Sequence, residues 1–396
     1  MSLTDTPNAS RLHIALFGRR NSGKSSLINA LTGQDTALVS NTPGTTTDLV
    51  SKAMEIQGIG PCLFIDTPGF DDEGELGELR ISRTLKAIEK TDIALLLCGD
   101  TTFSHEKEML TLLKEKNIPV IPVLNKIDIR ENSDHLATYI EEQCKMQPLL
   151  ISAKEKIGIE QIRQAILEKL PSDFGQQSIT GELVTENDLV LLVMPQDIQA
   201  PKGRLILPQV QTIRELLDKK CLVMTCTTDK FSATLQALAR PPKLIITDSQ
   251  VFKAIYEQKP KESELTSFSV LFAGYKGDIH YYVESAAVIE RLTESPRVLI
   301  AEACTHAPLS EDIGRVKLPR LLRKRIGENL QIDMVAGTDF PQDLTPYSLV
   351  IHCGACMFNR KYVLSRIERA REQHIPMTNY GVAIAFLNGI LDQIKY

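Results

Sequence analysis

The 396-residue chain is longer than a single hydrophobic core supports, so two or three domains of roughly 100–200 residues each are expected. With 43% hydrophobic and 24% charged residues it reads as an ordinary globular protein, and a formal charge of −5 argues against nucleic acid or an anionic membrane as its main partner. The start MSLTDTPNASRLH lacks a basic and then apolar leader, and no apolar run approaches the ~20 residues that span a bilayer. The expectation is therefore a cytoplasmic protein that binds neither nucleic acid nor membrane. Eight scattered cysteines do not suggest a disulfide framework. Cys62, Cys98, Cys144, Cys221 and Cys226 fall in or beside apolar strand-like or helical stretches and read as buried thiols.

Apolar runs alternate with amphipathic stretches throughout, which predicts an α/β protein of largely parallel sheets with flanking helices. Three domains are expected, at 1–172, 180–260 and 261–396. The first ends at Pro171 before the polar stretch SDFGQQSITGE, and the charged segment EQKPKESE marks the second boundary. In the middle domain LVLLVMP, CLVMTCTT and KLIITD are predicted strands, with helices near 210–219 and 232–239. In the third, SFSVLFAG, PRVLIAEA, LQIDMVAG and SLVIHCG are predicted strands, with helices near 281–292, 315–326, 361–373 and 381–394.

The first domain carries the clearest motif. Strand HIALF runs into Gly18-Arg19-Arg20-Asn21-Ser22-Gly23-Lys24-Ser25 and then the helix SSLINALTG, which predicts a P-loop GTPase fold. The glycines let backbone amides curl around phosphates at a helix N-terminus. Lys24 adds charge at the β- and γ-phosphates, Ser25 can ligate Mg²⁺, and Ser26 extends the nucleotide-contacting set. Asp66-Thr67-Pro68-Gly69 follows the strand CLFI. The Asp66 carboxylate suits the outer Mg²⁺ shell and the Gly69 amide can sense a γ-phosphate. Thr45, in TPGTTTD, is the candidate switch threonine on Mg²⁺. Asn125-Lys126-Ile127-Asp128 ends the strand IPVIPVL. Its Asp128 can accept hydrogen bonds from N1 and the exocyclic amine of guanine, which adenine does not offer, so GTP is expected. Ser152-Ala153-Lys154 fits the last base-contacting loop.

Phe70 follows Gly69, where many GTPases carry a glutamine that orients the attacking water, so unaided hydrolysis is expected to be slow. The acidic run Asp71, Asp72, Glu73 reads as solvated loop. Asn21 together with GTTTD resembles the TrmE-like GTPases. That resemblance implies a K⁺ ion held by Asn21, supplying the positive charge of an arginine finger. Arg19 and Arg20, lying within the loop, are poor fingers.

Cys304-Thr305-His306 follows PRVLIAEA, and Cys353-Gly354-Ala355-Cys356 ends SLVIHCG. Ligand sites in open parallel sheets form beyond the carboxyl ends of strands, so the two segments can converge. Three thiolates and one further donor suit an iron–sulfur cluster or a Cys₃His zinc site. A CxxC redox pair, which leaves Cys304 unexplained, and buried structural thiols, which a CxxC at a strand end disfavours, are the other readings; spacing does not separate zinc from the cluster.

A TrmE-like GTPase domain, two α/β blocks and the pattern C-x-H-x46-C-x-x-C resemble the HydF family of [FeFe]-hydrogenase maturation GTPases over the whole chain. The resemblance implies a [4Fe–4S] cluster on Cys304, Cys353 and Cys356. The fourth, exchangeable ligand is then His306 or Glu311, and His280 is a possible neighbour. It implies a scaffold or carrier that receives a diiron precursor and delivers it to apo-[FeFe]-hydrogenase. Its further partners are the radical-SAM maturases HydE and HydG, and its middle block dimerises. An RNA-modification GTPase and a redox-sensing GTPase are the alternative readings.

Overall fold

A computed structural model describes residues 6–33, 50–69, 83–99, 103–171, 174–175, 177–195, 205–292, 295–303 and 313–396. The chain divides into two compact units, Met1–Phe174 and Gly175–Tyr396.

The first unit runs β1 (Leu12–Gly18), α1 (Lys24–Thr32), β2 (Val50–Ile56), β3 (Gly60–Asp66), β4 (Ile93–Cys98), α2 (Ser104–Glu115), β5 (Val120–Leu124), α3 (Ser133–Cys144), β6 (Leu149–Leu150) and α4 (Ile159–Glu168). The strands form one sheet in the order β2-β3-β1-β4-β5-β6, parallel except for β2 against β3. Strands covered on both faces read as continuous apolar runs, and every residue of β1, β4 and β5 is buried. Alternate β1 residues divide between two cores. Leu12, Ile14 and Leu16 pack with Leu27, Leu31, Ile162 and Ile166 of α1 and α4. Ala15 and Phe17 pack with Met109, Leu113 and Ile140 of α2 and α3.

The second unit contains β7 (Leu189–Val193), α5 (Leu207–Asp218), β8 (Leu222–Cys226), α6 (Phe231–Ala237), β9 (Leu244–Thr247), α7 (Phe252–Gln258), β10 (Glu264–Ser267) and α8 (Phe268–Lys276). It continues with α9 (Ile279–Ala286), β11 (Arg297–Glu302), α10 (Leu318–Ile326), β12 (Gln331–Ala336), β13 (Leu349–His352), α11 (Arg360–Glu372), β14 (Met377–Asn379) and α12 (Tyr380–Leu387). Two four-stranded sheets result, β10-β9-β7-β8 and β12-β11-β13-β14, and every pairing in them is parallel. A single core joins them. Leu191, Val193 and Ile245 of the first sheet share it with Leu299, Ala301 and Val350 of the second, through Val270, Tyr282, Val363 and Val382 of α8, α9, α11 and α12.

Two sequence expectations are corrected. SFSVLFAG is not a strand: only Ser267 ends β10, and Phe268 starts α8, with the Ser267 hydroxyl accepting the Val270 amide as N-cap. An apolar run buried all round has no period to separate helix from strand, and the serine cap decides it. The boundary at 260/261 also moves. β10 pairs with β9, so the middle sheet reaches past it to residue 267. Of the cysteines read as buried thiols, Cys62, Cys98, Cys144 and Cys221 are buried and Cys226 is half-buried, and all five are free.

Candidate functional site

The P-loop motif sits at the C-terminal end of β1, between β3 and β4. Gly23 caps α1 in a left-handed conformation (φ 93°), and a Cβ there would collide with Asn125 Nδ2, so only glycine fits. Asn125 explains the tightness. Its buried amide donates to the Ser22 carbonyl (3.0 Å) and accepts from the Ala153 amide (3.0 Å), joining the P-loop to both predicted base-reading loops. Buried Lys24 folds back, donating to the carbonyls of Gly18 (2.8 Å) and Arg19 (2.9 Å). Ser25 Oγ donates to Asp66 Oδ2 at 2.5 Å, so the two side chains expected around Mg²⁺ meet directly. Asn21, in left-handed backbone at φ 58°, is exposed, as are Ser25 and Ser26.

Asp128 lies on an exposed turn after β5. A hydrogen bond from Ser152 is the main cause that holds its carboxyl below the ordinary aspartate value. Ser152 is fully buried and also accepts the Glu155 amide (3.1 Å), so the Ser152-Ala153-Lys154 loop is fixed at its root while Lys154 reaches solvent. Arg19 is committed elsewhere. Its guanidinium forms a two-pronged ion pair with Glu106, 3.0 and 3.2 Å, and that carboxylate is fully buried. Gly69 ends the described stretch after β3, while Thr45, Phe70, Asp71, Asp72 and Glu73 lie outside the described residues.

The second group of residues lies where the order of the sheet β12-β11-β13-β14 reverses. β11 turns outward to β12 on one side, and β13 returns on its other side, which is where open α/β sheets form crevices. Cys353 directly follows β13, and Ala303 directly follows β11. The Ala303 amide donates to Cys353 Sγ at 3.0 Å and the Ala355 amide at 3.4 Å, the latter from a left-handed residue (φ 51°). Burial pushes the Cys353 thiol up to about 11, against the lowering effect of these two amides. Cys353 and Cys356 are thus brought to one strand end. Cys304, His306 and Glu311 lie outside the described residues, and among the described residues no group of three metal-binding side chains occurs. His280 is exposed on the first turn of α9, against the Tyr396 ring.

Three residues around this loop were not singled out from the sequence. Lys276, at the end of α8 and 2% exposed, donates to the carbonyls of Ala355 (3.2 Å), Cys356 (3.2 Å) and Phe358 (2.6 Å). Burial lowers its ammonium to about 8, opposed by the neighbouring Cys356 and Cys353. His352 is fully buried, with burial and then the Arg366 charge lowering it to about 3. Neutral His352 therefore accepts from Arg366 Nη1 (2.8 Å) at Nε2 and donates from Nδ1 to the Cys353 carbonyl (2.8 Å). Arg366 is itself buried among the rings of Phe340, Phe358 and Tyr362, each 4.6–4.7 Å away. A periodicity argument treats Lys and Arg on a helix as solvent-facing, so nothing in the pattern separated these two from exposed neighbours.

Comparison with known proteins follows the same division. Residues 179–277 match the hydrogen maturase F dimerization domain and residues 280–395 the hydrogen maturase F tetramerization domain. Residues 13–126 match a model described as 50S ribosome-binding GTPase. The chain belongs to the hydrogen maturase F family. Its GTPase domain is similar to that of the tRNA modification GTPase MnmE of Nitrosomonas europaea, at 38% identity over 174 residues, which is 43% of this chain and 37% of that protein. It is also similar to GTPase Der of Desulfitobacterium hafniense, at 34% identity over 157 residues, 36% of this chain and 35% of that protein. The chain thus spans little more than a third of the length of these two curated relatives. Among solved structures, Era bound to MgGDPNP and a segment of 16S ribosomal RNA aligns with a TM-score of 0.35 at 20% identity, over 55% of this chain and 93% of that one. For a hydrogen maturase F, the GTPase domain implies GTP and Mg²⁺, and the two further domains imply assembly into oligomers. β8 is an edge strand with Leu222 51% and Met224 40% exposed, an apolar face of the kind that a second copy can cover. Among the described residues no helix is long and apolar enough to cross a membrane.

Proposed function

We propose that the chain is a cytoplasmic, GTP-hydrolysing carrier that holds a [4Fe–4S] cluster and passes a diiron precursor to apo-[FeFe]-hydrogenase. The observation that carries this reading is the pair of backbone amides on Cys353 Sγ. A sulfur that accepts two N–H bonds, one from the residue next to Cys304, has the surroundings of a metal-bound thiolate, so the donors present fit a cluster on Cys304, Cys353 and Cys356. Such a cluster would supply an exchangeable coordination position for incoming cargo, held at rest by His306 or Glu311. The chain's own residues do the rest. The amides of Ala303 and Ala355 orient Cys353, and Lys276 fixes the carbonyls on either side of Cys356.

In the first unit, Lys24 would meet the β- and γ-phosphates, and Ser25 and Thr45, supported by Asp66, would hold Mg²⁺, which would offset phosphate charge. Gly18, Ser22, Gly23 and Ser26 line the phosphates, with the Gly69 amide at the γ position. Asp128 reads guanine, flanked by Asn125, Lys126, Ser152, Ala153 and Lys154. With Phe70 in place of a water-orienting glutamine and Arg19 paired to Glu106, the missing positive charge falls to K⁺ on Asn21. GTP then acts as a switch on partner exchange with hydrogenase and the radical-SAM maturases HydE and HydG. The test is reconstitution. Wild-type protein produced with those maturases activates apo-[FeFe]-hydrogenase, and Cys353→Ser protein does not. Equal activation by both proteins would show that carrier function needs no cluster on Cys353.

A further inference from the structure

Among the described residues, two cations are buried beside the CxxC loop without a carboxylate. Lys276 (2% exposed) meets three carbonyls, and Arg366 (1% exposed) meets His352, the carbonyl of Gly337, the Tyr362 hydroxyl and three aromatic rings. Arg366 Nε is buried with no hydrogen-bond partner among those residues. Two buried carboxylates of the described residues, by contrast, each carry a cation: Glu106 pairs with Arg19 and Glu302 with Arg315. A buried cation lacking an anion is strongly disfavoured. Both cations converge on the same short segment, Lys276 directly on the Cys356 carbonyl and Arg366 through His352 to the Cys353 carbonyl. What the segment offers as counter-charge is its sulfurs once they are thiolates on a metal centre, an anionic assembly.

We infer that Lys276, with Arg366 behind His352, is the fixed counter-charge of the metal–thiolate centre on the CxxC loop, tuning its reduction potential as well as holding the loop. The inference rests on reading that loop as the cluster site. Positive charge close to a cluster favours the reduced, more negative state and so raises the potential. The geometry also ties the two family domains together functionally, because Lys276 lies within residues 179–277 and the loop within residues 280–395.

The test uses full-length wild type, Lys276→Met, Lys276→Arg and Arg366→Gln, each reconstituted anaerobically with iron and sulfide. Redox titration followed by EPR and melting with and without the cluster are the readouts. Lys276→Met is expected to load iron, to titrate at a more negative potential than wild type, and to gain less melting temperature on loading. Lys276→Arg keeps the wild-type potential, and Arg366→Gln shifts it in the same direction as Lys276→Met, by less. A Lys276→Met protein that fails to load while Lys276→Arg loads also supports the inference. An unchanged potential and an unchanged gain on loading in Lys276→Met would overturn it, even if its cluster-free form melts early, leaving Lys276 a loop pin only. Failure of both Lys276 variants beside a loading wild type overturns it too. A wild type that takes up no iron instead removes the cluster reading on which it rests.

Discussion

Asn125 shows how much one side chain organises in the first unit. It holds the P-loop and the Ser152-Ala153-Lys154 loop together, and Gly23 leaves room for it. Gly23→Ala should lower stability by about 1–3 kcal/mol, the range for a lost buried hydrogen bond, and abolish GTP binding; thermal melting and nucleotide titration check both. Lys24→Ala should reduce GTP turnover on the order of 10²–10³-fold, as for loss of one charge-stabilising donor, with iron content unchanged. Asp128→Asn should weaken GTP far more than xanthosine triphosphate, because the xanthine base presents a carbonyl to the new amide where guanine presents an amine; competition binding measures the ratio. At this scale the sequence was legible where neighbours in space are neighbours in sequence, as along the P-loop at the end of β1. Lys276, Arg366 and Glu106 were not legible, because each acts on a loop that only the fold brings to it.

At the scale of elements, α8 illustrates what pattern reading misses. Its apolar residues face core on more than one side, so periodicity vanished and the Ser267 cap carried the only signal. The alternation of β1 and the burial of β4, by contrast, follow from parallel sheets covered on both faces. Glu215 of α5 gives a test at this scale. Burial by itself would raise its carboxyl. The amides of Ile179 and Thr180 and the hydroxyls of Thr180 and Ser178 outweigh that, and the carboxyl ends below its ordinary value. The folded state then holds fewer protons than the unfolded chain, so this stabilisation is full above the ordinary glutamate value and is lost as pH falls through the lowered one. Glu215→Gln should therefore cost about 1–3 kcal/mol near neutral pH, and the difference from wild type should vanish in acid; denaturant melts across pH measure it.

At the scale of the molecule, two family domains share one core. A fragment of residues 175–277 would leave Leu191, Ile245, Val270 and Ala273 without Tyr282, Leu299 and Val350. Such a fragment should be aggregated or lack cooperative unfolding, whereas residues 175–396 should melt in one transition, as calorimetry can check. The composition foretold several domains but not that two would merge, because a shared core leaves no mark in local sequence. The K⁺ reading is tested by exchanging Na⁺ for K⁺, which should raise GTP hydrolysis severalfold through Asn21; an unchanged rate would remove the ion. The proposed metal centre on Cys304, Cys353 and Cys356 is checked by iron and acid-labile sulfide analysis of anaerobically purified protein, together with the EPR spectrum of the reduced form. About four irons and four sulfides per chain are expected, lost in Cys304→Ser, with a spectrum that shifts on adding cyanide or imidazole. One zinc per chain, or no metal, would contradict it.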